Sequence, residues 1–137
     1  MNLIRIAVFY FFFFMGRISV AQTAIVINDM ELQHKDCLKI KSDSSNCSKI
    51  FLQQMDSMLS VVFNEVKTQI ASEQKADVIK DQMSWSKKKA EFFKVQDETF
   101  VYNLKEEIWK KDMIRITYQQ KAEFLLKRIK FLLKKIK

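Results

Sequence analysis

Apolar residues recur every three or four positions through most of the chain, which is the spacing of amphipathic α-helices. The clearest stripe lies between Ser45 and Ile70, and Leu52, Leu59 and Phe63 widen it. Its apolar positions are Phe51, Met55, Met58, Val62, Val66 and Ile70. A stripe of this width is typical of a helix that packs against a core. The spacing therefore predicts one long helix over residues 45–70.

Two further helices are predicted on either side of this stripe. A short helix covers about Asp29 to Lys39 and ends before the polar segment 41–46, which is the clearest loop in the chain. A third helix begins near Ser72, a good N-cap residue, with Glu73 at the positive end of the helix dipole. It presents a broad apolar face to its partner helices. This face consists of two neighbouring ridges, which are Ile79, Met83, Ala90 and Phe93, and Val78, Trp85 and Phe92.

The apolar period blurs between Gln96 and Lys111, which predicts a bend or irregular link, since an uninterrupted helix would be unusually long. A final helix covers about Asp112 to Lys135. Its apolar residues fall within about one third of the circumference, with lysines beside them: Leu125, Leu126, Ile129, Leu132, Leu133 and Ile136. This pattern fits a helix that adheres to anionic membrane, and equally a bundle helix with a basic outer face.

The turn-forming residues are almost absent, and this decides the fold class. The chain of 137 residues contains one glycine, Gly16, and no proline. Hairpins, sandwiches and α/β loops need these residues, so the sequence predicts an all-α protein, a small bundle of three to four helices. The same absence excludes the glycine loops of nucleotide-binding sites and the nucleophile elbow.

The first 21 residues have the organisation of a secretory signal peptide. Arg5 gives a basic start, the apolar run 6–15 is too short to span a bilayer of about 30 Å, and 19–21 reads Ser-Val-Ala before a cut at Gln22. Arg17 inside the cleavage region leaves an uncleaved anchor as the alternative. We therefore expect a signal peptide at 1–21, a single helical domain at 22–137, and a periplasmic or secreted location.

The charge favours anionic partners. The whole chain carries +8, and removing Arg5 and Arg17 with the signal peptide leaves +6. Such a charge attracts anionic lipid, polymer or protein surfaces. Export makes nucleic acid a poor candidate partner despite this charge.

Cys37 and Cys47 are the only cysteines. An even number in an exported chain predicts a disulfide, with two free thiols as the alternative. A metal site built from His34, Cys37 and Cys47 lacks a clear fourth ligand, and an oxidising compartment removes the thiolates that zinc needs. We expect no metal and no cofactor.

An ordered series of residues resembles the small exported helical proteins called LprI-type lysozyme inhibitors, over about 37–125. After two cysteines ten residues apart, the family shows a Leu-Asn-x-x-Tyr helix segment, a Gln-x-x-Trp motif with a basic residue four positions later, and a last helix with Thr, Arg and Leu. The corresponding positions here are Leu59, Phe63, Gln82, Trp85, Lys89, Thr117, Lys121 and Leu125. The family's Asn and Tyr are not kept, since Ser60 and Phe63 stand in their places.

Two departures from the family carry an expectation of their own. Phe93 and Met113 stand where the family shows its third and fourth cysteines. If those two cysteines are bonded to each other in the family, the loss of one favours the loss of the other. The resemblance therefore implies that Phe93 and Met113, which replace them, are in contact. By the same reasoning Cys37 and Cys47 are the pair that remains.

The sequence offers few candidate catalytic residues, so we expect that the protein is not an enzyme. His34 has no Ser, Cys or Asp constellation beyond its local helix, and Glu106 and Glu107, adjacent in sequence, point about 100° apart on a helix. The resemblance implies an exported binding protein that inhibits lysozyme or another cell-wall hydrolase, and the alternative is an envelope protein that adheres to anionic membrane through its C-terminal helix. The candidate partner surface is acidic and aromatic: Asp97, Glu98, Phe100, Tyr102, Glu106, Glu107 and Trp109.

Overall fold

The protein folds as a bundle of α-helices. The computed structural model describes residues 20–40, 44–103 and 110–136. Four α-helices form within these ranges, together with a short 3-10 turn at Lys134–Ile136, and these ranges contain no strand. The helices are α1 (Val20–Lys39), α2 (Ser44–Gln69), α3 (Ser72–Asn103) and α4 (Lys110–Leu133). The predicted all-α bundle is confirmed.

The core lies mainly between α2 and α4, which are the helices with the most extensive mutual packing. Each successive pair of helices is antiparallel, so α2 and α4 run in the same direction. Helix α1 packs on α2, and α3 packs on α4. The residues buried in this core include Ile27, Phe51, Met55, Leu59, Val62, Val66, Ile70, Val78, Ala122, Leu125, Leu126, Ile129, Leu132 and Leu133. Thus the stripe predicted for residues 45–70 is the central face of the bundle.

Helix α1 begins about nine residues earlier than the sequence predicted. It starts at Val20 rather than near Asp29, and its first turns are held by packing. The Thr23 hydroxyl donates a 2.9 Å hydrogen bond to Glu65 of α2, and Ile27 is buried in the core. The predicted signal peptide falls almost entirely on residues 1–19, which lie outside the described residues.

A disulfide ties α1 to α2. The Cys37 and Cys47 Cα atoms are 5.9 Å apart and their sulfurs are bonded, as the sequence predicted. Helix α1 ends at Lys39, and the Ile40 amide donates to the Cys37 carbonyl at 3.2 Å. Helix α2 restarts at Ser44, inside the segment expected to be loop, and 41–43 are outside the described residues.

Helix α3 is longer at its C-terminal end than predicted. The chain turns at residues 70–71, the Gln74 amide donates to the Ala71 carbonyl, and Ser72 is already the first helical residue rather than the cap. The helix spans 32 residues to Asn103, about 48 Å, and covers the first half of the segment expected to bend. Residues 104–109 of that segment are outside the described part of the chain, and 110–111 belong to α4.

Helix α4 begins at Lys110 and gives way to the 3-10 turn after Leu133. Its apolar face is directed into the bundle: Leu125, Ile129 and Leu132 are fully buried. The sequence left α4 as either a membrane-adhering helix or a bundle helix. The burial of its apolar face agrees with a bundle helix. Across the described residues, no helix combines the length and the apolar character needed to cross a membrane.

Candidate functional site

A continuous stack of aromatic rings and cations runs along the seam between α3 and α4. Its members alternate between the two helices or lie one turn apart, and we call them the aromatic stack: Phe92, Phe124, Trp85, Arg128, Phe131 and Lys135. The ring centroids of Phe92 and Phe124 are 4.4 Å apart, and those of Trp85 and Phe124 are 5.4 Å apart. Such pairs add about 0.5–1.5 kcal/mol beyond their buried area. Ring contacts therefore hold one part of this seam.

Arg128 is the centre of this stack. Its side chain is only 6% exposed, and its guanidinium carbon lies 5.4 Å from the Trp85 ring centroid and 5.0 Å from that of Phe131. The guanidinium donates to Asp81 at 2.7 Å and to Gln82 at 2.9 Å. A buried cation without partners is strongly destabilising, so these acceptors are what allow Arg128 to be buried. Sequence reasoning missed this residue, although it lies three residues after Leu125 and thus beside the apolar arc.

A second buried cation fixes the other half of the seam. Lys121 is 7% exposed, donates to Asp97 at 2.6 Å, and lies 4.9 Å from the centre of the Phe93 ring. Lys89 approaches the same ring at 5.3 Å and also forms an ion pair with Asp56 of α2. Helix α3 is thus positioned by two charged anchors rather than by a continuous apolar stripe.

The positions that carry the family resemblance all take part in packing. Leu59 and Leu125 are buried in the core, and Phe63 packs against it. Thr117 is buried on α4. Gln82, Trp85, Lys89 and Lys121 belong to the contacts between α3 and its neighbours described above. The structure therefore brings the Gln82 and Trp85 motif together with Arg128, and gives these positions a structural role.

The expected contact between Phe93 and Met113 disagrees with the register of α3 and α4. Phe93 lies against Lys121, and Lys121 is eight residues beyond Met113, about 12 Å along the helix. Asp97, one turn after Phe93, also pairs with Lys121. The register therefore places Phe93 about two turns away from Met113, and an apolar replacement of a lost disulfide does not explain these two residues.

Two acidic residues of the candidate partner surface are already paired with lysines. Asp97 pairs with Lys121, and Glu98 lies 3.7 Å from Lys94. Phe100 is half-buried on α3. Tyr102 is in the last turn of α3, and the remaining members, Glu106, Glu107 and Trp109, lie outside the described residues. That this surface binds a partner stays a prediction.

His34 is a packed residue of the α1–α2 contact. It is buried, its ring stacks on Phe51 with centroids 4.3 Å apart, and it shares a 3.3 Å hydrogen bond with the Ser48 hydroxyl. Cys37 and Cys47 are bonded to each other in the disulfide and therefore carry no thiol. Among the described residues, no three His, Cys, Asp or Glu side chains are arranged to hold a metal ion.

Burial lowers the pKa of His34 from its ordinary value of 6.5, with Glu123 opposing part of this effect. Because the folded protein favours neutral His34, the unfolded chain binds more protons just below pH 6.5, and stability falls as the pH drops through this window.

We expect His34→Gln, whose amide stays neutral and can still bond Ser48, to remove this part of the pH dependence. Urea unfolding at pH 7.5 and at pH 5.5 measures the difference for both proteins. An equal loss of stability on acidification in wild type and variant would contradict the role given to His34.

One ridge of α3 faces away from the bundle. Ile79 is 42% exposed, Met83 64% and Val101 64%, and Ala90 is exposed between them. Their spacings of 4, 7 and 11 residues place all four on one side of a helix. We call these four residues the outer ridge. The sequence grouped Phe93 with this ridge, but Phe93 belongs to the seam with α4.

Together these features define a four-helix, disulfide-tied bundle with an exposed apolar ridge and no metal cluster in its described residues. Compared with protein families, curated proteins and solved structures, the chain matches none of them.

Proposed function

We propose that this protein is an exported binding protein of the cell envelope, and that the outer ridge of α3 is the surface that contacts its protein partner. The observation that carries the proposal is the exposure of Ile79, Met83 and Val101 on a helix that packs through its opposite side. Single exposed apolar residues are ordinary, but several aligned along one helix are typical of an interaction surface.

The chemistry of the ridge also indicates what it would bind. Met83 is flexible and polarisable, which suits contact with an apolar surface. Lys80 and Lys87 lie three and four residues from Met83, are exposed, and form no ion pair within the described residues. A partner with an apolar centre and acidic margins would complement both features.

The remaining parts of the proposal rest on other observations. A disulfide between α1 and α2 suits an oxidising compartment and so supports export. Lysozyme or another cell-wall hydrolase is the target class that the family resemblance implies. Lysozymes are usually basic, so this target would have to use the acidic segment 97–107 instead of the outer ridge.

We expect Met83→Glu to weaken capture of an envelope protein at least tenfold, because it places a carboxylate at the centre of an apolar contact. Leu32→Glu is the matched control, since Leu32 is 58% exposed on α1, away from α3. The measurement is a pull-down from envelope extract with purified protein, quantified for wild type and both variants.

The same experiment separates the rival functions. If added lysozyme competes with the captured protein and Met83→Glu still captures it fully, the contact would be assigned to the acidic segment instead of the outer ridge. Binding to anionic vesicles that replaces protein capture would favour membrane adhesion, although the apolar face of α4 is buried in the folded bundle. Equal losses in Met83→Glu and Leu32→Glu would contradict the assignment to α3.

A further inference from the structure

An apolar groove lies where the start of α1 meets the end of α4. Its volume is about 560 Å³, within the range of about 300–1,000 Å³ usual for small-molecule sites. The residues that line it are Val20, Ala21, Ala24, Ile27, Asn28, Lys130, Leu133, Lys134 and Ile136. It is distinct from the outer ridge, and nothing in the function proposed above uses it.

The lining combines an apolar floor with a cationic side. Ile27 and Leu133 are buried members of the core, and Ile136 packs against the same core. Small side chains at Ala21 and Ala24 keep the α1 side of the groove open, because neither fills the space beside Leu133. Six of the lining residues are aliphatic, so a hydrocarbon chain would replace water there favourably.

The two lysines differ in what they already bind. Lys130 Nζ lies 2.7 Å from Glu31 Oε1, so its charge is balanced within the protein. Lys134 is exposed and has no ion pair with any described residue. Among the described residues, the groove therefore has one lysine without an ion pair beside an apolar floor, which is complementary to a molecule with an anionic head and an aliphatic tail.

We propose that this groove binds a long-chain carboxylic acid, with the tail between Ile27 and Leu133 and the carboxylate at Lys134. The inference stands whether or not the chain is cut before Gln22, because Val20 and Ala21 are the only lining residues that such a cut removes. The floor residues Ile27 and Leu133 and both lysines belong to the chain in either case.

Titration of the protein, as recovered from cells, with a fluorescent long-chain fatty acid tests the proposal. Wild type should bind one molecule saturably, and Lys134→Gln should weaken binding about five- to tenfold. Lys135→Gln is the matched control, because Lys135 is the neighbouring lysine and carries the same charge, but lies over the Phe131 ring at 4.7 Å and does not line the groove. It should change the affinity less than twofold.

Two further arms separate the tail from the head group. Ala24→Trp, which fills the groove from α1, should abolish binding while circular dichroism shows a folded bundle. A fatty alcohol of the same length should compete far more weakly than the acid, and the difference should shrink at high salt. No saturable binding by wild type, equal losses in the two lysine variants, or equal competition by alcohol and acid would each overturn the proposal. These results are independent of capture through Met83.

Discussion

Leu125→Ala should lower the free energy of unfolding by about 2–5 kcal/mol, the largest effect expected from a single substitution in this chain. Leu125 is fully buried on α4, in the core shared with α2. Removing its side chain loses apolar burial and leaves a cavity, because the packed neighbours relax only in part. A small domain has about 5–15 kcal/mol in total, so this loss is a large share of its stability.

Urea denaturation followed by circular dichroism measures this change. Leu32→Ala is the control, since it makes the same chemical substitution at a position that is 58% exposed, and it should cost less than about 0.5 kcal/mol. A loss below about 1 kcal/mol at Leu125, or similar losses at both positions, would show that the α2–α4 core is not where the stability resides.

Loss of the disulfide should have the next largest effect, about 3 kcal/mol. The bond between Cys37 and Cys47 closes a short loop and restricts the unfolded chain, and the loop-entropy treatment gives about this value for so few residues. It also holds the C-terminal end of α1, where His34 packs on Phe51. The double variant Cys37→Ser, Cys47→Ser should unfold at lower urea concentration than oxidised wild type.

Reduced wild type provides the comparison for this prediction. If the bond itself is responsible, reduction and double substitution should destabilise the protein equally. Unchanged stability on reduction would mean that packing alone fixes α1, and a much greater loss in the double variant would assign the effect to the serine side chains.

The helices that pack through apolar stripes could be predicted from sequence, and those positioned by polar anchors could not. The face of α2 was readable because Met55, Val62 and Val66 are buried at regular spacing. The C-terminal half of α3 was not, because there it is held by Phe93, Asp97 and the buried Lys121, and this arrangement leaves no apolar period.

The candidate site could likewise be predicted from the sequence only in part. Trp85 lies on an apolar ridge that the sequence predicted, and it packs against the core. Its partner Arg128 was missed, since a helix wheel does not reveal that Asp81 and Gln82 would compensate a buried guanidinium. The two ridges of α3 were both seen in the sequence. The expectation that both would pack was wrong, because α4 lies against Trp85 and Phe92 and leaves Ile79 and Met83 exposed, and hydrophobic spacing alone does not specify the position of α4.

The outer ridge of α3 is proposed to be a protein-binding surface in the cell envelope. Photocrosslinking in intact cells tests it most directly, with a photoreactive amino acid placed at Met83 in one variant and at Leu32 in another. Both positions are well exposed, at 64% and 58%, so accessibility does not separate them. We expect a discrete crosslinked product from position 83 and none from position 32. No product at position 83, or the same products from both positions, would contradict the proposed surface.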